Sequence, residues 1–422
     1  MGFPAGFLWG AATSHHQVEG GAPDAIEPSD WTDWTRDPKH TADGCNADHA
    51  CGWWLGRAEE DLTLARSLGH DAHRMGISWA RIEPEPGRWD LDALARYEAI
   101  LEHARRIGLR TSVTLHHFTL PRWIAARGGF GNEESLARFE RFASFAVERL
   151  GPRVTQWATF NEPSVYAMMS HGQKHWPPGQ GSAIAQIVVL ARLLRAHAGA
   201  VRAIRRTSPD ASVGIVLNAP AFDPDRERAR DRAVTFAQDY AFTGCVLDAL
   251  ATGSLRFPLA ILPTRIEGLA GSFDWLGLNY YGRYRVRFDP RAVGLAFGKH
   301  VQTNGIRHGE VDWGEPHPEG LTRLLVRFAS LGKPVYVTEN GVFDPTDEVR
   351  RRYLADHVAA VGSAIERGAD VRGYFHWSLV DNFEWAEGYT TPFGLIEVDR
   401  KTGERRPRAS ARLYQRLIEE NA

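Results

Sequence analysis

Short apolar runs alternate with longer stretches of helical period along the whole chain, and this alternation constrains the fold more than any other feature. Eight runs read as strands: Phe7–Ala12, Ala72–Ile77, Arg110–Leu115, Val154–Phe160, Ser212–Leu217, Asp274–Leu278, Pro334–Thr338 and Val371–Trp377. The intervening spacing predicts helices over about residues 59–68, 92–107, 134–150, 183–205, 230–251, 319–331, 350–366 and 409–419. The helix over 134–150 is the clearest, with Leu136, Phe139, Ala143, Val147 and Leu150 along one face. Strands that alternate with helices imply βα units and a parallel sheet. Eight such units is the number that closes a (β/α)8 barrel. The expected fold is therefore α/β, a single TIM-type barrel domain over residues 1–422. A doubly wound sheet is disfavoured. The glycine-rich Gly128-Gly129-Phe130-Gly131 follows the third strand instead of the first and lacks the spacing of a dinucleotide-binding turn.

Composition excludes several partners. The formal net charge is −2, with acids and bases mixed, so nothing points to nucleic acid or a membrane surface. No run of about 20 apolar residues is apparent that would span a bilayer. The start, Met1-Gly2-Phe3-Pro4, has no basic segment leading into an apolar one. Three cysteines, Cys45, Cys51 and Cys245, suit a reducing compartment better than a disulfide framework. A soluble, cytoplasmic protein is expected. Of the 14 tryptophans many must be core, but aromatic faces are also what the apolar C–H face of a sugar ring stacks on.

A barrel carries its chemistry on the loops that follow its strands. The fourth strand runs into Thr159-Phe160-Asn161-Glu162-Pro163, and the seventh into Thr338-Glu339-Asn340-Gly341. Each places a glutamate at a strand's carboxyl end beside an amide. The fourth and seventh strands lie across an eight-stranded barrel from each other, so the two side chains can face one another over the mouth. A single loop glutamate is ordinarily a solvated acid. Two in this arrangement are what glycoside cleavage requires, because one carboxyl protonates the leaving oxygen while the other attacks or activates water.

The segments around the two glutamates resemble the signatures of the glycoside hydrolase family 1 β-glycosidases. The opening block Phe3-Pro4-Ala5-Gly6-Phe7-Leu8-Trp9-Gly10-Ala11-Ala12-Thr13-Ser14 and the later Phe375-His376-Trp377-Ser378-Leu379-Val380-Asp381-Asn382-Phe383-Glu384-Trp385 are similar to two further family blocks. The resemblance runs in order from about residue 3 to residue 399. It implies a single (β/α)8 barrel, retention of anomeric configuration, a small-molecule glycoside substrate and no cofactor. It also implies roles: Glu162 as acid/base, Glu339 as nucleophile, and Arg74 and Tyr281 as the groups that support the nucleophile. Gln17, His117, Asn161, Asn279, Tyr281, Trp377, Glu384 and Trp385 correspond to sugar-binding positions, with Trp377 as stacking floor and Trp385 against the outer hydroxyl edge. Glu384 stands where a phosphosugar enzyme would carry a cation, so unphosphorylated β-glucosides are expected, with β-galactosides and β-fucosides as further substrates.

The paired histidines His15-His16 and His116-His117 suggest a metal, but neighbouring residues on a strand point to opposite faces, so each pair would offer one inward imidazole. No metal is expected. The chain departs from the family pattern at Phe118, where tryptophan is usual, at Thr119, where aspartate is usual, and at Pro392. Trp313 is a candidate platform for the aglycone. Two other functions are compatible with the motifs: a β-glycosidase in which transglycosylation dominates, and a sugar-binding barrel without catalysis. The intact pair of glutamates argues against the second. Oligomeric state is left open by the sequence.

Overall fold

The structure, a computed structural model, describes residues 2–22, 25–302, 307–308 and 311–421, so the Met1 and Ala422 ends of the expected domain lie outside the described residues. Eight parallel strands close into a barrel: β1 (Leu8–Ala12), β2 (Ala72–Gly76), β3 (Arg110–His116), β4 (Gln156–Asn161), β5 (Val213–Asn218), β6 (Trp275–Tyr280), β7 (Val335–Asn340) and β8 (Val371–Trp377). Neighbours in the barrel are neighbours in sequence, and β8 closes on β1 with Leu8 opposite Gly373 and Ala12 opposite Trp377. Each sequence-derived strand is found, with its ends moved by at most two residues.

Helices cover the barrel: α1 (Ala58–Ser67), α2 (Leu91–Arg106), α3 (Glu134–Leu150), α4 (Ala183–Thr207), then α5 in two stretches, Ala229–Asp239 and Cys245–Thr252, and finally α6 (Pro318–Ala329), α7 (Glu348–Glu366) and α8 (Ala409–Asn421). The period-two pattern of the strands sorts their side chains. In β1, Trp9 and Ala11 join the large apolar cluster shared with the helices, whereas Leu8 and Ala12 join a smaller one with Phe375 and Trp377. Close packing also sets a glycine: a Cβ on Gly214 in β5 would fall 2.4 Å from the Trp275 ring.

The structure departs from the sequence reading in three places. The single helix expected over 230–251 is interrupted by a π-turn at Tyr240–Gly244, an insertion that helical periodicity does not register. A small sheet joins Ala221–Pro224, Arg283–Phe288 and Gly298–His300 directly after β5 and β6; its central strand, Arg-Tyr-Arg-Val-Arg-Phe, is too charged to stand out as an apolar run. Finally, α4 is long and apolar enough to cross a membrane, contrary to the expectation that no such segment exists. It packs along α3, and its apolar residues Leu190, Leu193, Leu194 and Ile204 are buried in the outer layer.

Candidate active site

Glu162 is the first residue beyond β4. Its backbone takes a left-handed conformation, φ 47°, and its N–H donates to the Val216 carbonyl of β5 at 2.9 Å. A non-glycine residue there is strained, and such strain concentrates at functional sites. Glu339 lies one residue from the end of β7, where the register against β6 shifts. Both side chains are almost wholly buried.

The two carboxyls have contrasting partners. Oε1 of Glu339 receives Nη1 of Arg74 at 2.5 Å, and Oε2 receives the Tyr281 hydroxyl at 2.6 Å. Oε1 of Glu162 receives only neutral amides, Asn279 at 2.6 Å and Asn218 at 3.0 Å. Burial, reinforced by the charge of Glu339, pushes the Glu162 carboxyl up to about 8. One acid is thus gripped by a cation and a phenol, while the other retains its proton at neutral pH. Between them runs a continuous network. Arg74 also donates through Nη2 to Asn161 Oδ1 at 2.7 Å, the same oxygen accepts from Asn279 at 3.1 Å, and Thr338 Oγ1 donates to Asn279 Oδ1 at 2.7 Å.

A second polar group lies on the β1 and β8 side. Gln17, in the short helix His15–Glu19, donates through Nε2 to Glu384 Oε2 at 3.2 Å and to Asn382 at 3.1 Å. The Trp377 indole N–H donates to the same Glu384 oxygen at 3.3 Å. Burial, then the charge of Glu339, raises the Glu384 carboxyl well above its usual range. His117 connects the two groups: its Nε2 is 3.1 Å from Asn161 Nδ2, and its ring lies nearly parallel to Trp377 and Trp385 at centroid distances of 6.1 Å. All the residues that the sequence singled out for the pocket are therefore joined by contacts around one barrel mouth.

The chain matches the profile of glycosyl hydrolase family 1 over residues 1–422. The chain belongs to that family. It is similar to Beta-glucosidase A of Thermotoga maritima, at 34% identity over 99% of this chain and 98% of the relative. It is also similar to a Beta-galactosidase of Pyrococcus woesei, at 30% identity over 99% and 97%. Among solved structures, a beta-glycosidase from Pyrococcus horikoshii superimposes with a TM-score of 0.88 at 37% identity, covering 99% of this chain and 95% of that one. The protein is a glycoside hydrolase.

Several details of this glycosidase correct or extend the sequence reading. Asn340, although beside Glu339, turns away and donates to the Tyr280 carbonyl and the Tyr353 hydroxyl, so it braces the barrel instead of the pocket. His15 and His16 lie on a helix, not on a strand, and both rings reach the same carboxylate, Glu27, so the alternation argument does not apply to them. Among the described residues no group of three or more His, Cys, Asp or Glu is arranged to hold a metal ion. Phe118, with φ 73°, packs 4.7 Å from Trp176 and 5.2 Å from Trp385. Pro392 offers its carbonyl to the Asp344 N–H at 3.1 Å and to Arg350 at 2.8 Å, which anchors the following Phe393 against Trp313. Asn218 and Trp176 were not picked out. Asn218 carried a usable signal, an amide at the carboxyl end of a barrel strand. Trp176 carried none, since it reaches the pocket wall from a long loop after β4.

Proposed function

We propose that the protein is an exo-acting, retaining β-glycosidase that hydrolyses unphosphorylated β-D-glycosides, β-glucosides foremost, by double displacement. The observation that carries this reading is the asymmetry of the two carboxyls. Glu162 holds a proton at neutral pH, and Glu339 is fixed by Arg74 and Tyr281. In the first step a Glu339 oxygen attacks the anomeric carbon, the glycosidic C–O bond breaks, and Glu162 passes its proton to the departing oxygen. Esterification removes the Glu339 charge that helped raise Glu162, so Glu162 becomes a weaker proton holder and then a base. It takes a proton from water as that water's oxygen attacks the anomeric carbon and releases Glu339.

Asn161 is placed to meet the 2-hydroxyl, and Gln17, Glu384, His117 and the Trp377 face to meet the rest of the ring. The buried carboxyl of Glu384 supports a neutral sugar, because a phosphate there would face an acid and no cation. Free Cys51 and Cys245, both buried, suit the cytoplasm. The test is hydrolysis of an aryl β-glucoside followed by NMR. First-formed β-glucose is expected, and Glu339→Ala should abolish the reaction. First-formed α-glucose, or faster cleavage of the 6-phosphoglucoside, would overturn the corresponding half of the proposal.

A further inference from the structure

Glu27 is a buried carboxylate that the reaction does not use. It is 2% exposed and lies in the segment between the short helix His15–Glu19 and the helix Asp30–Trp34. Four side chains from three parts of the barrel mouth converge on it. Ser78, after β2, donates its hydroxyl to Oε1, and Thr119, after β3, donates to the same oxygen at 3.0 Å. His15 Nε2 is 3.2 Å from Oε1 and 2.8 Å from Thr119 Oγ1, and His16 Nδ1 is 2.7 Å from Oε2. Since Thr119 gives its hydrogen to Glu27, His15 Nε2 is the donor in its own contacts. Burial pushes the Glu27 carboxyl upward, but the charges and hydrogen bonds of the two histidines more than offset it, and the group sits well below the usual carboxylate range. A buried charge with this many donors is costly to assemble and persists where it orders something.

What it orders is the ring of His16. With Nδ1–H committed to Glu27, the imidazole lies parallel to the Trp385 indole, 10° between planes and 5.7 Å between centroids, with Phe383 at 6.0 Å and Trp31 at 6.2 Å. Trp385 needs such support. Its backbone is left-handed, φ 50°, a conformation that a bulky residue holds only when its surroundings dictate it. We infer that Glu27 and His16 are positioning residues for Trp385: the carboxylate fixes the imidazole, and the imidazole holds the indole at the outer edge of the sugar. Thr119 and Ser78 complete the brace from neighbouring strands, so an error in their placement is transmitted to the pocket wall. This inference rests on the reading of Trp385 as a sugar contact.

A residue that acts only through Trp385 changes binding that is common to ground state and transition state, so it moves KM and spares kcat. Purified Glu27→Gln, His16→Leu and His16→Phe are compared with the unmodified protein on an aryl β-glucoside, each alone and combined with Trp385→Phe. The expected result for Glu27→Gln and His16→Leu is a KM raised about tenfold with kcat within about threefold. His16→Phe, which restores a flat ring but not its bond to Glu27, recovers only part of the KM. In the Trp385→Phe background the same changes add less than about twofold, because neighbours that work through one group are not additive. Full additivity in the double variants, or an unchanged KM in His16→Leu, overturns the inference. The His16 pair decides the matter even where Glu27→Gln does not fold. Inactivity of the unmodified protein toward aryl glycosides is a different failure, that of the glycosidase proposal, and this inference falls with it.

Discussion

The Tyr281 hydroxyl donates to Oε2 of Glu339 at 2.6 Å, the one oxygen of that carboxylate that Arg74 does not hold. Tyr281 is itself held by packing against Trp313 and Phe393, at centroid distances of 5.6 and 6.1 Å. In the proposed mechanism, removing the hydroxyl frees Glu339 to rotate away from the anomeric carbon. A hydrogen bond to a charged group contributes about 1.5–3 kcal/mol. Tyr281→Phe is therefore expected to lower kcat/KM by roughly ten- to a hundredfold on an aryl glucoside. A variant indistinguishable from the unmodified protein would show that Arg74 alone orients Glu339.

In the proposed mechanism Glu162, as acid/base, should set the alkaline limit of activity. Its carboxyl sits near 8, through burial first and the Glu339 charge second. The protonated form is the competent acid, so kcat/KM should fall as pH rises through about 8 for substrates whose leaving group needs a proton. A dinitrophenyl glycoside, whose leaving group needs none, should lack that limb. If both substrates show the same alkaline limb, another group is responsible.

The same group costs stability. Its native value of about 8 exceeds its ordinary value of 4.5, so between those limits the native state binds a proton that the unfolded chain releases. Stability falls with rising pH across that window and levels off above it. Glu162→Gln keeps an acceptor and donors in place without an ionisable group. It should raise the melting temperature, with a gain that grows from pH 5 to pH 8 and reaches on the order of 1–3 kcal/mol near neutrality. A gain independent of pH would contradict this assignment.

The sequence made the barrel legible because buried parallel strands are short apolar runs and their helices have a period of their own. The same rule hid the strand Arg283–Phe288, which carries half-buried arginines at alternate positions. Glu162 and Glu339 were legible because strand ends in a barrel are the mouth. Phe118 illustrates where reading stopped. The missing indole N–H was visible in the sequence, but not that Trp176 arrives from a loop to pack against the phenyl ring. The Glu27 cluster was equally hidden, since it joins side chains from residues 15, 16, 27, 78 and 119 through tertiary geometry alone.

His116 offers a test of how buried imidazoles shape acid stability. Neither ring nitrogen has a partner within the protein, and the ring is edge-on to Phe130 and Tyr166 at 5.2 and 5.1 Å. Burial chiefly, with a contribution from His15, depresses it to about 3 against an ordinary 6.5. Below 6.5 the unfolded chain takes up a proton that the native state refuses, so this group's contribution is lost as pH falls through 6.5 and keeps falling toward 3. Each such histidine steepens the loss by up to about 1.4 kcal/mol per pH unit. His116→Leu fills a similar volume without titrating. Its melting temperature relative to the unmodified protein should therefore rise steadily from pH 7 to pH 5, whatever the offset at pH 7. Parallel curves for the two proteins over that range would show that His116 titrates in the folded state, and that the surrounding rings admit its charge.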